Sequence, residues 1–196
     1  MPNPRTAKPV AEDVIPEILN GEMKNDAMRF AAYMRENKMP FKQHTTNRQT
    51  QSAKYKGKII CVMVLYDAKA KKFYDLRQPT GLQSWLANLW LERINDYDES
   101  IVRDGLQSIV WDNMKYCVWG ENSGMSEDYR GCSPSNGCAG GVNISRCGKS
   151  LKGVCQCRPY MFWNPGESEI AAIKRLVELE KQARDAVFAV FGSIGF

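Results

Sequence analysis

Apolar positions along this chain change their period several times, and each change marks an element. Ala27, Phe30, Ala31 and Met34 recur at i, i+3, i+4 and i+7, the stripe of an amphipathic helix that Asn37 and Pro40 close. A shorter helix over Ala11–Leu19, ended by Asn20-Gly21, is expected before it, and residues 1–10 read as a loose tail. The run Lys58–Tyr66 is β-branched and apolar on both faces, which predicts a central strand buried on two sides. Tyr55-Lys56-Gly57-Lys58 supplies a turn before it, and Thr50–Tyr55 is its candidate partner. A second turn at Asp67–Lys71 leads into Lys72–Arg77, and the three segments describe an antiparallel meander.

Gln78-Pro79-Thr80-Gly81 ends that sheet. Leu82, Trp85, Leu86, Leu89 and Trp90 then return to helical spacing and predict a helix. The acidic connector Asp96–Ser100 offers N-cap residues to another helix, with Val102, Leu106, Ile109, Val110 and Asn113 on one face and its end near Cys117. The last helix opens on Glu167 and Glu169, which suit the positive end of the helix dipole. Its stripe runs Ile170, Ile173, Val177, Ala183, Ala186, Val187 and Val190. The expectation is a single α+β domain: a meander of three strands or slightly more, packed with several helices. Its core spans 20–115, a Cys/Gly-rich insert 116–163 and a C-terminal helix 166–191.

Composition changes this picture little: 196 residues, 43% hydrophobic and 25% charged, describe one ordinary globular chain able to fold without staples. No run approaches the ~20 apolar residues of a membrane span, and the amino terminus lacks the apolar core of a signal peptide. A cytoplasmic protein with reduced thiols and no membrane partner is therefore expected. The distribution of charge says more than the net +5: residues 35–77 carry 11 Lys/Arg against 3 Asp/Glu, and residues 92–128 carry 3 against 9. If the basic stretch binds nucleic acid, Arg35, Lys42, Arg48, Lys54, Lys56, Lys58 and Lys72 are the candidate phosphate contacts.

The seven cysteines do depart from the average, because five fall between Cys132 and Cys157, in a segment rich in glycine. Clustered cysteines in a cytosolic chain read as metal ligands more often than as disulfides. Four thiolates close a tetrahedral zinc site and leave no position for water, so a metal here is expected to be structural. The candidate set is Cys117, Cys132, Cys138 and Cys155, with Cys147 and Cys157 as substitutes; free thiols and disulfides are the competing readings. Elsewhere, Trp85, Trp90, Trp111 and Tyr74 are candidates to line a cleft for a small molecule, against the simpler reading of core packing. The apolar end Val187–Phe191 needs cover, from the domain itself or from a second copy in a homodimer. His44 with Cys61 makes a poor nucleophile pair, because Cys61 lies mid-strand in an apolar run.

One set of residues forms a pattern: Trp111-x-Asn113, Cys117, Cys132-Ser133-Pro134, Gly148-Lys149, Val154-Cys155, Asn164-Pro165 and Ile173-Lys174-Arg175-Leu176-Val177, with Tyr55-Lys56-Gly57-Lys58 before the apolar strand. In these it resembles a family of small bacterial cysteine-containing proteins with no established activity. The resemblance implies four recurrent cysteines, to which Cys117, Cys132, Cys138 and Cys155 correspond, and it implies no catalytic residue. No convergent His/Asp/Glu set is visible, so the expectation leans away from an enzyme. It favours a module that binds or senses a small molecule or protein, with a structural zinc. Nucleic-acid binding through residues 35–77 is the alternative.

Overall fold

The computed structural model describes residues 9–44, 46–67, 83–115, 141–155 and 160–192. Its elements run α1 (Ala11–Ile18), α2 (Gly21–Glu36), β1 (Lys42–Gln43), β2 (Thr50–Tyr55), β3 (Lys58–Tyr66), β4 (Ser84–Leu89) and a 3-10 turn (Ile94–Tyr97). There follow α3 (Asp98–Arg103), α4 (Gln107–Asp112), β5 (Gly141–Arg146), β6 (Lys149–Cys155), β7 (Tyr160–Trp163) and α5 (Glu167–Gly192). The class is α+β, with a five-stranded antiparallel sheet ordered β1-β2-β3-β4-β7 and a separate β5-β6 hairpin. The chain forms two compact units, Met1–Asn88 with Trp163–Gly166 and Leu89–Phe162 with Glu167–Phe196.

In the first unit the predicted stripe Ala27, Phe30, Ala31 and Met34 is the buried face of α2, and the short helix expected before it, α1, buries Ala11, Val14, Ile15 and Ile18. Asn20 and Gly21 open α2, where the sequence reading had them ending α1. The β2–β3 hairpin has the expected bounds. Lys56 and Gly57 form its loop, both with positive φ (49° and 80°), as the type I′ turn that matches strand twist requires. Ala53 faces Cys61 while Lys54 faces Ile59, so Ile60 is an extra residue that bulges β3. The expected third meander strand, Lys72–Arg77, lies outside the described residues.

The helix expected over Leu82–Trp90 is a correction: Ser84–Leu89 is strand β4, and all six of its residues are buried. A strand covered on both faces shows no alternation, so Trp85, Leu86 and Leu89 mimic a helical stripe. Trp85 packs 6.1 Å from Phe30, centroid to centroid, and Phe30 meets Phe41 edge-on at 5.7 Å. The Trp85 N–H donates to Asn164 Oδ1 (2.7 Å), the Asn164 N–H donates back to the Trp85 carbonyl (2.8 Å), and the Trp163 ring lies 5.4 Å from that of Tyr66.

In the second unit, the helix expected to carry Val102 through Asn113 is two short helices. Gly105, at φ 69°, ends α3. The Leu106 N–H donates to the Ile101 carbonyl and the Gly105 N–H to that of Val102, the Schellman pair that turns a chain out of a helix. The break buries Ile101 and Val110 and leaves Val102 46% exposed. Helix α5 starts at Glu167 as expected and buries Ile170, Ile173, Leu176 and Val177. Past that point the stripe departs from expectation. Ala183, Ala186 and Val187 are not buried, whereas Glu180 and Arg184 are. The side chains of Phe188, Val190 and Phe191 lie outside the described residues.

Candidate anion-binding cleft and cysteine hairpin

Helix α2 ends in a Schellman motif: the Met39 N–H donates to the Met34 carbonyl (2.8 Å) and the Lys38 N–H to that of Arg35 (2.9 Å). The left-handed position, usually glycine, is Lys38 at φ 64°. Pro40 then sends the chain into β1, where Lys42 pairs with Ser52 and Gln43 with Gln51, and the His44 N–H extends the ladder to the Thr50 carbonyl (2.9 Å). Side chains alternate along strands, so Lys42, His44, Ser52 and Lys54 share one face of this ribbon. With Lys38 they line a cleft of about 340 Å³ whose wall, among the described residues, has no carboxylate.

Of the predicted basic residues, the cleft takes Lys42 and Lys54. Arg35 and Arg48 instead reach back to α1, pairing with Glu12 (2.9 Å) and Glu17 (2.7 Å). Lys56 sits at the β2–β3 turn, 5.8 Å above the Tyr55 ring, and Lys58 opens β3 opposite Tyr55. Lys72 lies outside the described residues. Two members were missed. Lys38 gives no periodic signal, because it follows the helix, and His44 was set beside Cys61 and not beside the lysines. That thiol is fully buried and raised by its burial, far from a thiolate at neutral pH.

Trp85 is fully buried, and the buried Nε1 atoms of Trp85 and Trp90 have no acceptor among the described residues. Trp111 donates from Nε1 to the Arg146 carbonyl (3.2 Å) and carries the Lys149 ammonium 5.0 Å above its ring. None of these three lines the lysine cleft, and Tyr74 lies outside the described residues.

The predicted cysteines divide in the same way. Cys117, Cys132, Cys138 and Cys157 lie outside the described residues, and among those described no three His, Cys, Asp or Glu side chains gather as metal ligands. Cys147 and Gly148 (φ 49° and 81°) form the two-residue turn between β5 and β6. Cys155 lies buried at the other end of that hairpin, facing Gly141, and its N–H donates to the Lys115 carbonyl (2.8 Å). Strand β6 puts the two cysteines about 20 Å apart at about 3.3 Å per residue, so they do not share one metal.

Cys147 has another setting. Its Sγ lies 3.8 Å from Asp98 Oδ1, and Asp98 also accepts from the buried Arg146 guanidinium (2.8 Å). Burial and then the Asp98 charge push the Cys147 thiol up to about 11, so it is not primed as a nucleophile. Burial opposes the Arg146 charge, but the Asp98 hydrogen bond and nearby charges hold its pKa above the ordinary value.

A second buried network joins α5 to the 3-10 turn. The Glu180 carboxylate, 0% exposed, accepts from the Arg93 N–H (3.1 Å), the Tyr97 hydroxyl (2.8 Å) and Arg184 Nε (2.7 Å). Burial and the Glu180 charge raise the Tyr97 hydroxyl, keeping it a donor. Compared with family models, curated proteins and solved structures, the chain shows no significant match to any. No helix among the described residues is long and apolar enough to cross a membrane.

Proposed function

We propose that this chain is a binding module whose lysine cleft grips the phosphates of a nucleic-acid strand. One observation carries the reading: Lys38, Lys42, His44 and Lys54 converge on a cleft with no acidic residue among the described residues of its lining. Three ammonium groups without a carboxylate among them favour an anion, and their spread along a sheet edge suits a strand of repeated charge. Arg35 and Arg48, held by α1 carboxylates, contribute less. Fluorescence anisotropy of a labelled single-stranded oligonucleotide tests the reading. Affinity should fall with salt at a log–log slope near −2, from three lysines at about −0.7 each. Lys42→Glu with Lys54→Glu should abolish binding, and Arg48→Ala should leave it near the parent. Salt-independent binding, or none at low salt, overturns it.

The cysteines support a second proposal: Cys117, Cys132, Cys138 and Cys155 hold a structural zinc at the open end of the β5–β6 hairpin. Chain connectivity favours this set over one that includes Cys147. Cys155 bonds to Lys115, which stands two residues before Cys117, and faces Gly141, which stands three residues after Cys138. Cys157, two residues on from Cys155, is the alternative fourth ligand. Native mass spectrometry should find one zinc per chain, lost in Cys155→Ser and retained in Cys147→Ser. A metal-free protein with all seven thiols titratable removes the proposal.

A further inference from the structure

The second unit contains a cleft distinct from the lysine site. It is about 510 Å³, a volume within the range of small-ligand pockets, and it lies between the 3-10 turn and the part of α5 whose stripe is not buried. Arg93 and Asp96 stand in its wall as an ion pair with both side chains about two-fifths exposed, 43% and 40%. Tyr97 lines the cleft from the turn, and the small aliphatic side chains Ala183, Ala186 and Val187 line it from α5. The supports are rigid: buried Glu180 holds the Arg93 backbone and the Tyr97 hydroxyl, and is itself held by Arg184.

We propose that this cleft binds an aliphatic α-amino acid as its zwitterion. One cation and one anion in contact are complementary to a ligand whose carboxylate and ammonium are separated by a single carbon. The ligand carboxylate takes the Arg93 guanidinium and its ammonium takes Asp96, so one exposed ion pair is exchanged for two that share a cleft wall. The aliphatic side chain then covers Ala183, Ala186 and Val187, the surface that α5 leaves unburied. Either charge alone would meet a like charge in the wall, which selects against simple carboxylic acids and simple amines.

The test uses the full chain and L-leucine, with N-acetyl-L-leucine and L-leucinamide as probes that each lack one charge. Leucine should shift backbone amide resonances of residues 93–100 and 179–187 saturably, and each blocked probe should bind about tenfold more weakly. Arg93→Gln should weaken leucine by a similar factor and should not weaken leucinamide, which has no carboxylate to lose and is relieved of a like charge. Asp96→Asn should behave likewise towards N-acetyl-leucine. A general loss of fold would weaken every probe, so this pattern separates recognition from structure. Absence of shifts at about 10 mM leucine, shifts elsewhere, or equal binding of the blocked probes overturns the proposal.

Discussion

Replacing Lys38 by glycine separates two properties that this residue holds in opposition. At φ 64° its Cβ crowds the adjoining carbonyl, at about 1–2 kcal/mol for an L residue. Glycine removes the crowding but adds about 0.4–1 kcal/mol of freedom to the unfolded chain. The balance is a gain of about 0.5–1 kcal/mol. In a chain of 196 residues this raises Tm by about 1–4 °C. Lys38→Ala keeps the Cβ and its strain, so its Tm should stay within about 2 °C of the parent. Both variants remove the same ammonium group from the cleft, and both should flatten the salt slope of oligonucleotide binding by about 0.7. Thermal melting by circular dichroism and anisotropy titrations at several salt concentrations read the two effects separately. A Lys38→Gly protein that melts below the parent refutes the strain argument, and parental affinity in both variants refutes the cleft.

Three more outcomes follow from buried or paired groups. Glu180→Ala leaves the buried Arg184 guanidinium without its carboxylate and the Tyr97 hydroxyl without its acceptor, and should cost about 3–5 kcal/mol. Glu180→Met with Arg184→Met should lose much less in urea denaturation, and equal losses would contradict the pairing. Asp104 is held below its ordinary 3.8 first by the Arg175 hydrogen bond, then by Arg103, so its contribution is present above that value and lost as pH falls through the lower native one. The parent should therefore melt above Asp104→Asn at about pH 7, and the difference should shrink as pH falls below the ordinary value. Alkylation at Cys147, followed by peptide mass, should quicken about tenfold per pH unit up to about 11, and Asp98→Asn should speed it at fixed pH. A rate that levels off near about pH 8.5, the ordinary thiol value, would argue against the burial of this thiol, and an unchanged rate in Asp98→Asn would argue against the Asp98 contact.

Strands β2 and β3 and their turn could be read from the chain because local chemistry agrees with the fold: a β-branched run, a Lys-Gly turn and a bounded partner. Helix α2 and the first half of α5 were legible through their stripes. Strand β4 was not, since its apolar positions fit a helix as well as a strand covered on both sides, and only tertiary context decides between them. The break between α3 and α4 did have a signal in Asp104-Gly105, a pair that favours turns. Glu180 stands three residues from both Val177 and Ala183, on the apolar stripe itself, and a charge there is the usual mark of a buried pair. The lysine cleft was half visible. Charge counting located the basic stretch, but which lysines face one another and which arginines are neutralised depends on register and on α1.

The return of Trp163–Gly166 to the first unit bears on biosynthesis. Its Trp85–Asn164 exchange and its Tyr66–Trp163 contact need a segment made roughly 75 residues after Asn88. At about 5–20 residues per second, a ribosome takes about 4–15 s to cover that distance. During that interval β4 has been made, but the Asn164 that pairs with its Trp85 has not. The nascent chain therefore exposes an apolar strand to chaperones for seconds, and a gene fragment stopped at residue 88 should yield an aggregating product rather than a small domain.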